Sequence, residues 1–297
     1  MTMIDFTNCP IRNKTYAGAN GNKISILFND EVWMLKFPSL AKLNDDLSYA
    51  NGCVSEYLGC HIFNMLGVDA QETLLGTYNK YGKGKIVVAC KDFAVGGLVL
   101  QDFASLKNTI IDSSGQGYGT ELDDVLTSIN DQNKIDASSL LEHFWNMFII
   151  DALIGNWDRH NGNWGFLYDE ISDSICLAPI FDCGSSLYPQ ADESLMQKIM
   201  SDNNELSARI FDRPTSSLKI KNKRINYFDF ISSLENDDCN KALKRICKRI
   251  DLNDIYTLID ETLFLTEIQN LFYKRMIKER KEKILDYSYS KLEKIER

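Results

Sequence analysis

Two short segments gather polar groups in otherwise apolar surroundings: residues 155–163, G-N-W-D-R-H-N-G-N, and residues 178–184, A-P-I-F-D-C-G. In the first, the carboxylate of Asp158 precedes the amide of Asn163 by five positions; in the second, a further carboxylate, Asp182, follows a short hairpin-like stretch. Magnesium prefers a few oxygen ligands from protein, completed by phosphate oxygens. In phosphoryl transfer one loop carboxylate orients the acceptor hydroxyl and takes its proton, while an amide and a second carboxylate hold metal. Asp158 suits the first role, with Asn163 and Asp182 as metal ligands. Asp and Asn also make turns and cap helices, so neither motif carries the reading alone.

Their order does more. D-x-x-x-x-N followed by D-x-G is the arrangement of catalytic and metal loops in protein kinases, with Asp182-Cys183-Gly184 where Asp-Phe-Gly would stand. Such a site needs a strand lysine to neutralise phosphates and a helical glutamate to orient it. Lys36, in W-M-L-K-F-P, is a charge amid apolar residues, and Glu56 lies on the next expected helix. A strand lysine can equally face solvent, as can a helix glutamate. Upstream, Gly18, Ala19, Asn20, Gly21, Asn22 and Lys23 form a small-residue loop entering a strand; it is neither G-x-x-x-x-G-K-[ST] nor G-x-G-x-x-G, but its backbone amides can approach phosphate. Residues 87–91 supply a strand able to offer backbone groups to adenine.

The ordered set A-G-A-N-G-N-K, W-M-L-K-F-P, I-V-V-A-C-K-D-F, L-I-G-N-W-D-R-H-N-G-N and L-A-P-I-F-D-C-G-S-S resembles the HipA-type serine/threonine kinases, in particular their short, stand-alone, pro-inflammatory Helicobacter-type branch, over nearly the whole chain. The resemblance implies that Asp158 is the catalytic base, Asn163 and Asp182 bind magnesium, and Lys36 binds ATP phosphates. It places the Ala89, Cys90 and Lys91 backbone at the adenine hinge and His160 near the nucleotide, although His160 can instead brace its loop. A serine autophosphorylated ahead of the loop in HipA corresponds to Thr15 here. Full-length HipA has a sizeable segment before its nucleotide loop that contacts an antitoxin repressor, whereas only about fifteen residues precede the loop in this chain, which argues against a HipB-type partner and leaves two expectations, a kinase acting alone or a separate small chain supplying the missing piece. The resemblance also raises delivery to a host cell.

These residues need elements to position them. Residues 24–28 and 32–37 read as a hairpin, 49–66 as a helix stopped by Gly67, and 73–78 with 85–90 as a second hairpin. After an extended region at 93–105 and a Ser/Gly-rich loop at 112–120, the remainder reads as mainly helical, with a buried helix at 140–155 and short strands at 164–167 and 175–180. The expected architecture is α+β and two-lobed, protein-kinase-like: a small β-rich lobe over residues 1–92 and a larger helical lobe over 93–297, with ATP between them.

Composition agrees with a folded protein: 44% hydrophobic residues in a chain of 297 suffice for a core. Net charge is -9, which opposes direct nucleic-acid binding. The exception, residues 274–297, has alternating signs that read as a solvated helix face. No run approaches the length of a membrane-spanning helix, and the most apolar window, 144–155, is interrupted by Asp151. The polar first residues do not read as a signal peptide, and the eight scattered cysteines read as reduced core residues of a cytoplasmic protein. Catalytic residues do not choose the acceptor: a lipid or small-molecule kinase uses the same loops, and a nucleotide-binding interaction module of toxin type is a third reading.

Overall fold

The computed structural model describes residues 3–16, 23–40, 48–49, 51–80, 82–111 and 116–296. Two short strands not expected from the polar start open the chain, β1 (Ile4–Asp5) and β2 (Ile11–Arg12). β3 (Lys23–Phe28) and β4 (Glu31–Lys36) form the first hairpin, turning on Asn29 and Asp30 at φ 51° and 62°, the left-handed backbone that these two residue types tolerate best after glycine. A two-stranded ribbon, β5 (Ser39–Leu40) with β6 (Ser48–Tyr49), precedes α1 (Gly52–Met65). The second hairpin, β7 (Thr73–Lys80) and β8 (Lys83–Lys91), is longer than its sequence pattern suggests. Sheet order is β1-β7-β8-β4-β3-β2, so β8 and β4 lie in the middle and the two N-terminal strands close opposite edges.

Alternation along these strands builds two cores. Trp33, Leu35, Val87 and Ala89 face one way and enclose Phe6 and Ile26. Val88 and Cys90 face the other way, onto α1 and the larger core.

Residues 93–105 are extended only in part: β9 (Leu98–Asp102) gives way to α2 (Phe103–Ile110), because Asp102 Oδ1 accepts the Ser105 N–H (2.8 Å) and caps a helix there. Next come α3 (Leu122–Asp131) and α4 (Ala137–Ile154), the latter capped by Asp136 and ended by Gly155 at φ 65°. β10 (Gly165–Asp169) pairs with β9 and with β11 (Ser174–Leu177). The rest is helical: α5 (Glu193–Ser201), α6 (Asn203–Ser207), α7 (Tyr227–Ser233), α8 (Asp237–Cys247), α9 (Leu252–Glu261), α10 (Glu267–Arg280) and α11 (Tyr287–Glu296). One hairpin interrupts it unannounced by the sequence, β12 (Lys219–Ile220) with β13 (Lys223–Arg224).

Two expectations need correction. The charged C-terminal run is not wholly a solvated face: Arg280 is buried, donating from Nε to Ala152 O (2.7 Å) at the end of α4. Nor are all the cysteines core residues. All eight are free thiols, five of them buried, but Cys176 on β11 is exposed and Cys9 and Cys247 are half-buried. No helix among the described residues is long and apolar enough to cross a membrane.

Candidate active site

Lys36 ends β4, and the pleat that sends Trp33 and Leu35 to the small core turns Lys36 to the opposite face, toward α1. Its ammonium lies 3.1 Å from Glu56 Oε2 on α1 and 3.1 Å from Asp182 Oδ1. Burial alone would lower the Lys36 pKa; Asp182 and Glu56 outweigh it and hold it well above the ordinary lysine value. The same ammonium pulls Asp182 down to about 2. Glu56 is almost completely buried, and its second oxygen, Oε1, has no hydrogen-bond partner among the described residues. Directly across the β3–β4 ladder from Lys36 stands Lys23. Burial and the neighbouring Lys36 lower its pKa, while Asp182 and Glu56 oppose that shift.

Asp182 is held from two sides. Ile180 donates its N–H to Asp69 O and accepts from Gln71 N at its carbonyl, both 2.8 Å, stitching the approach to the chain before β7. On the other side α1 packs at Gly59, where a Cβ would come 2.6 Å from Cys183 Cβ, so only glycine permits this contact. Asp182 itself has φ 58°, a conformation that costs a non-glycine residue on the order of 1 kcal/mol and is retained where surroundings enforce it.

The loop 155–163 leaves α4 through Gly155 and folds on itself. Asp158 N–H donates to Asn156 Oδ1 (3.1 Å), Asn163 Nδ2 donates to Asp158 O (2.8 Å), and Gly162 N–H donates to His160 Nδ1 (3.0 Å). His160 therefore braces the loop. The Asn163 amide nitrogen being engaged, its Oδ1 has no hydrogen bond among the described residues. Burial raises the pKa of Asp158; His160, Arg224 and Arg159 pull it back, and the charge on Asp182 adds to the rise.

The expected hinge backbone is already engaged. Ala89 and Cys90 pair with Leu35 and Met34 on one side and with Leu74 and Thr73 on the other. Lys91 donates its N–H to Glu72 O (2.8 Å) and accepts from Gln71 Nε2 (2.8 Å) at its carbonyl, while its ammonium pairs with Glu31 and Glu72. Asp92 N–H reaches Val32 O (2.9 Å), the last hydrogen bond to the sheet. Phe93 is the first residue beyond it whose N–H and C=O have no hydrogen bond among the described residues. Gly18, Ala19, Asn20, Gly21 and Asn22 lie outside the described residues. Just before them Thr15 is exposed, between Lys14, whose Nζ is 2.6 Å from Asp92 Oδ2, and Tyr16, whose hydroxyl donates to the same oxygen (2.8 Å).

Residues 12–253 match the family model described as the HipA-like C-terminal domain. The chain belongs to the HipA-like family. It is similar to the serine/threonine-protein kinase CtkA of Helicobacter pylori, 52% identical over 293 residues that span 98% of this chain and 89% of that relative. Its fold superposes on the crystal structure of a Helicobacter pylori proinflammatory kinase CtkA with a TM-score of 0.93, at 50% identity and 99% coverage of each chain. A complex of HipA, HipB and operator DNA from Shewanella oneidensis contains a chain matched at TM-score 0.55 and 13% identity, over 94% of this chain and 69% of that one, a likeness of fold. The HipA-like, two-lobed α+β architecture expected from the motifs is therefore the fold of this chain.

Sequence reasoning passed over the group that fastens this HipA-like site together. Arg159, buried, donates from Nε to Asp151 Oδ2 (3.0 Å), from Nη1 to Asn163 O (2.7 Å) and Phe181 O, and from Nη2 to Cys183 Sγ (3.3 Å). One guanidinium thus joins α4, the Asp158 loop and the Asp182 loop. Burial would lower its pKa, but Asp151 and Cys183 raise it further above the arginine value, so it stays charged. A signal existed: Asp151 is a lone carboxylate in the most apolar window of the chain, and a buried charge demands a partner.

Proposed function

We propose that the protein is a serine/threonine protein kinase of HipA-like type that transfers the γ-phosphoryl group of ATP, with magnesium, to protein hydroxyls including its own. The observation that carries this reading is the meeting of Lys36, Glu56 and Asp182, brought from three distant parts of the sequence, within 3.1 Å contacts. A binding module has no need of Asp158 as well.

The donor set suits a hard cation. Asn163 Oδ1 and the Asp182 oxygen not facing Lys36 are oxygen ligands of the kind magnesium takes, few enough to leave room for phosphate. When bound, the metal neutralises charge gathering on the β- and γ-phosphates. Lys36, kept cationic and oriented by Glu56, holds phosphate oxygens. Asp158 positions the acceptor hydroxyl and accepts its proton as the new P–O bond forms and the bond from phosphorus to the ADP oxygen breaks. Phe93 takes over from Ala89, Cys90 and Lys91 as the adenine-binding backbone, since theirs is committed to the sheet. The boundary at residues 92 and 93 follows, with 1–92 as the smaller lobe and 93–297 as the larger. Thr15, exposed ahead of the nucleotide loop, is the autophosphorylation site in this reading.

The test is Asp158→Asn. A positioned general base contributes roughly 10² to 10⁴ in rate, so transfer from labelled ATP should fall by about that factor while nucleotide binding persists. Mass spectrometry of the purified proteins should find phosphate on Thr15 of the wild type and none on the variant. Equal labelling of the two would remove Asp158 from the mechanism.

A further inference from the structure

The hairpin β12–β13 reads Lys219-Ile220-Lys221-Asn222-Lys223-Arg224: four cations in six residues with no acid, in a chain whose net charge is -9. Residues 220–224 are exposed, and none of the four cations takes part in an ion pair among the described residues. Glu121, at its base, accepts a backbone N–H, that of Asn222 (2.8 Å).

This hairpin is fastened to the catalytic loop. Arg224 donates from Nη2 to Trp157 O, the residue before Asp158, and from Nε to Ser216 O (2.8 Å). Ser217 Oγ donates to Arg159 O, and Tyr227 OH donates to Asn156 O (2.7 Å). Four loop positions, 156, 157, 158 and 159, are thus gripped or electrostatically felt by residues 216–227, since Arg224 also pulls on the Asp158 carboxylate. None of the phosphoryl-transfer steps above uses the three lysines.

We propose that in other proteins this hairpin selects the acceptor, favouring serine or threonine hydroxyls flanked by aspartate or glutamate; Thr15, flanked by Arg12 and Lys14, lies outside that preference, and the inference rests on the kinase reading. An acceptor hydroxyl must lie at Asp158, and an extended chain advances about 3.3 Å per residue, so residues a few places from the acceptor cross the hairpin. Unpaired exposed cations beside that track attract carboxylates, and such attraction governs selectivity and association more than raw affinity, fading within roughly 10 Å at 0.1 M salt. An acidic protein segment is favoured over a nucleic acid because four cations on one short hairpin are fewer than the extended basic face that phosphate-backbone binding uses.

The experiment compares fluorescent peptides carrying one central serine flanked by glutamate, by alanine or by lysine, reading both binding by anisotropy and phosphate transfer. The variant is Lys219→Gln/Lys221→Asn/Lys223→Gln, with asparagine at 221 because φ is 51° there. Wild type should bind and phosphorylate the acidic peptide about tenfold better than the neutral one at low salt, a gap that narrows as salt rises. The variant should lose that preference and keep the neutral-peptide rate, and Lys221→Glu/Lys223→Glu should reverse the order of acidic and basic peptides. Equal treatment of acidic and neutral peptides by active wild type overturns the hairpin's role alone. Wild type that transfers phosphate to no peptide and not to itself overturns the kinase reading and this inference with it. A single-stranded RNA oligomer that binds more tightly than the acidic peptide, and does so through the same lysines, replaces the acidic segment by a nucleic acid.

Discussion

Asp158 has a pKa raised by burial, and the sign of that shift fixes two outcomes. A carboxylate with a raised pKa takes up its proton at a higher pH on acidification, so the acid limb of kcat/KM should lie above the usual aspartate value of about 4. It also means that the ionised group opposes folding at neutral pH, hence Asp158→Asn should melt no lower than wild type while losing transfer. Lys36 is the reverse case. Glu56 is almost fully buried and its paired oxygen depends on that ammonium, so Lys36→Met should lose phosphate transfer and cost about 3 kcal/mol in urea unfolding. Retained stability with lost activity would mean that the pair serves catalysis only. At this scale much was legible. A lysine inside W-M-L-K-F-P and a glutamate on the following amphipathic run are local facts, and the strand's two-residue period carries the lysine to its partner. Arg159 was not legible in the same way, because its four acceptor residues come from three stretches of chain, α4, the Asp158 loop and the Asp182 loop, and no single window contains them all.

Among elements, the contact of α1 with the Asp182 loop matters most. Gly59→Ala would put a methyl group 2.6 Å from Cys183 Cβ, too close for any real pair of carbons. The helix or the loop must move, at a cost of about 1–3 kcal/mol for overpacking. Because Glu56 and Asp182 sit on the two elements being pushed apart, phosphate transfer should fall by more than stability does, and Gly59→Ala should weaken nucleotide binding measured by titration. Normal transfer by a destabilised variant would show that the loop yields without moving its carboxylate. Strand pairing also underlies the proposed move of the adenine-binding backbone from Ala89, Cys90 and Lys91 to Phe93. A β-rich run at 87–91 is visible in the sequence, but which of its backbone groups are free depends on neighbours on both sides, β4 and β7, and hydrophobic pattern says nothing about ladder occupancy. The extended reading of 93–105 holds through β9 and breaks at a single cap, Asp102, and the β12–β13 hairpin was hidden because its residues are charged on both strands and bear no alternation.

For the whole molecule, the proposed site draws on Lys36, Glu56 and Phe93 from the first hundred residues and on Asp158, Asn163 and Asp182 from the rest. A nucleotide that bridges them links both parts, and a ligand that binds only the folded state stabilises it by RT ln(1 + [L]/Kd), about 2.7 kcal/mol at a hundredfold excess over Kd. Magnesium with ATP should therefore raise the melting temperature of wild type in a single transition, and Lys36→Met should forfeit the shift. Two separate transitions, with only one responding, would place the nucleotide within one lobe. The distribution of thiols has a practical corollary for watching such a linkage. Since Cys176 is the one exposed thiol, a maleimide dye added below one equivalent to the unaltered protein should attach first to β11, on the same small sheet as β9, and no cysteine need be engineered away to give a single reporter of nucleotide binding.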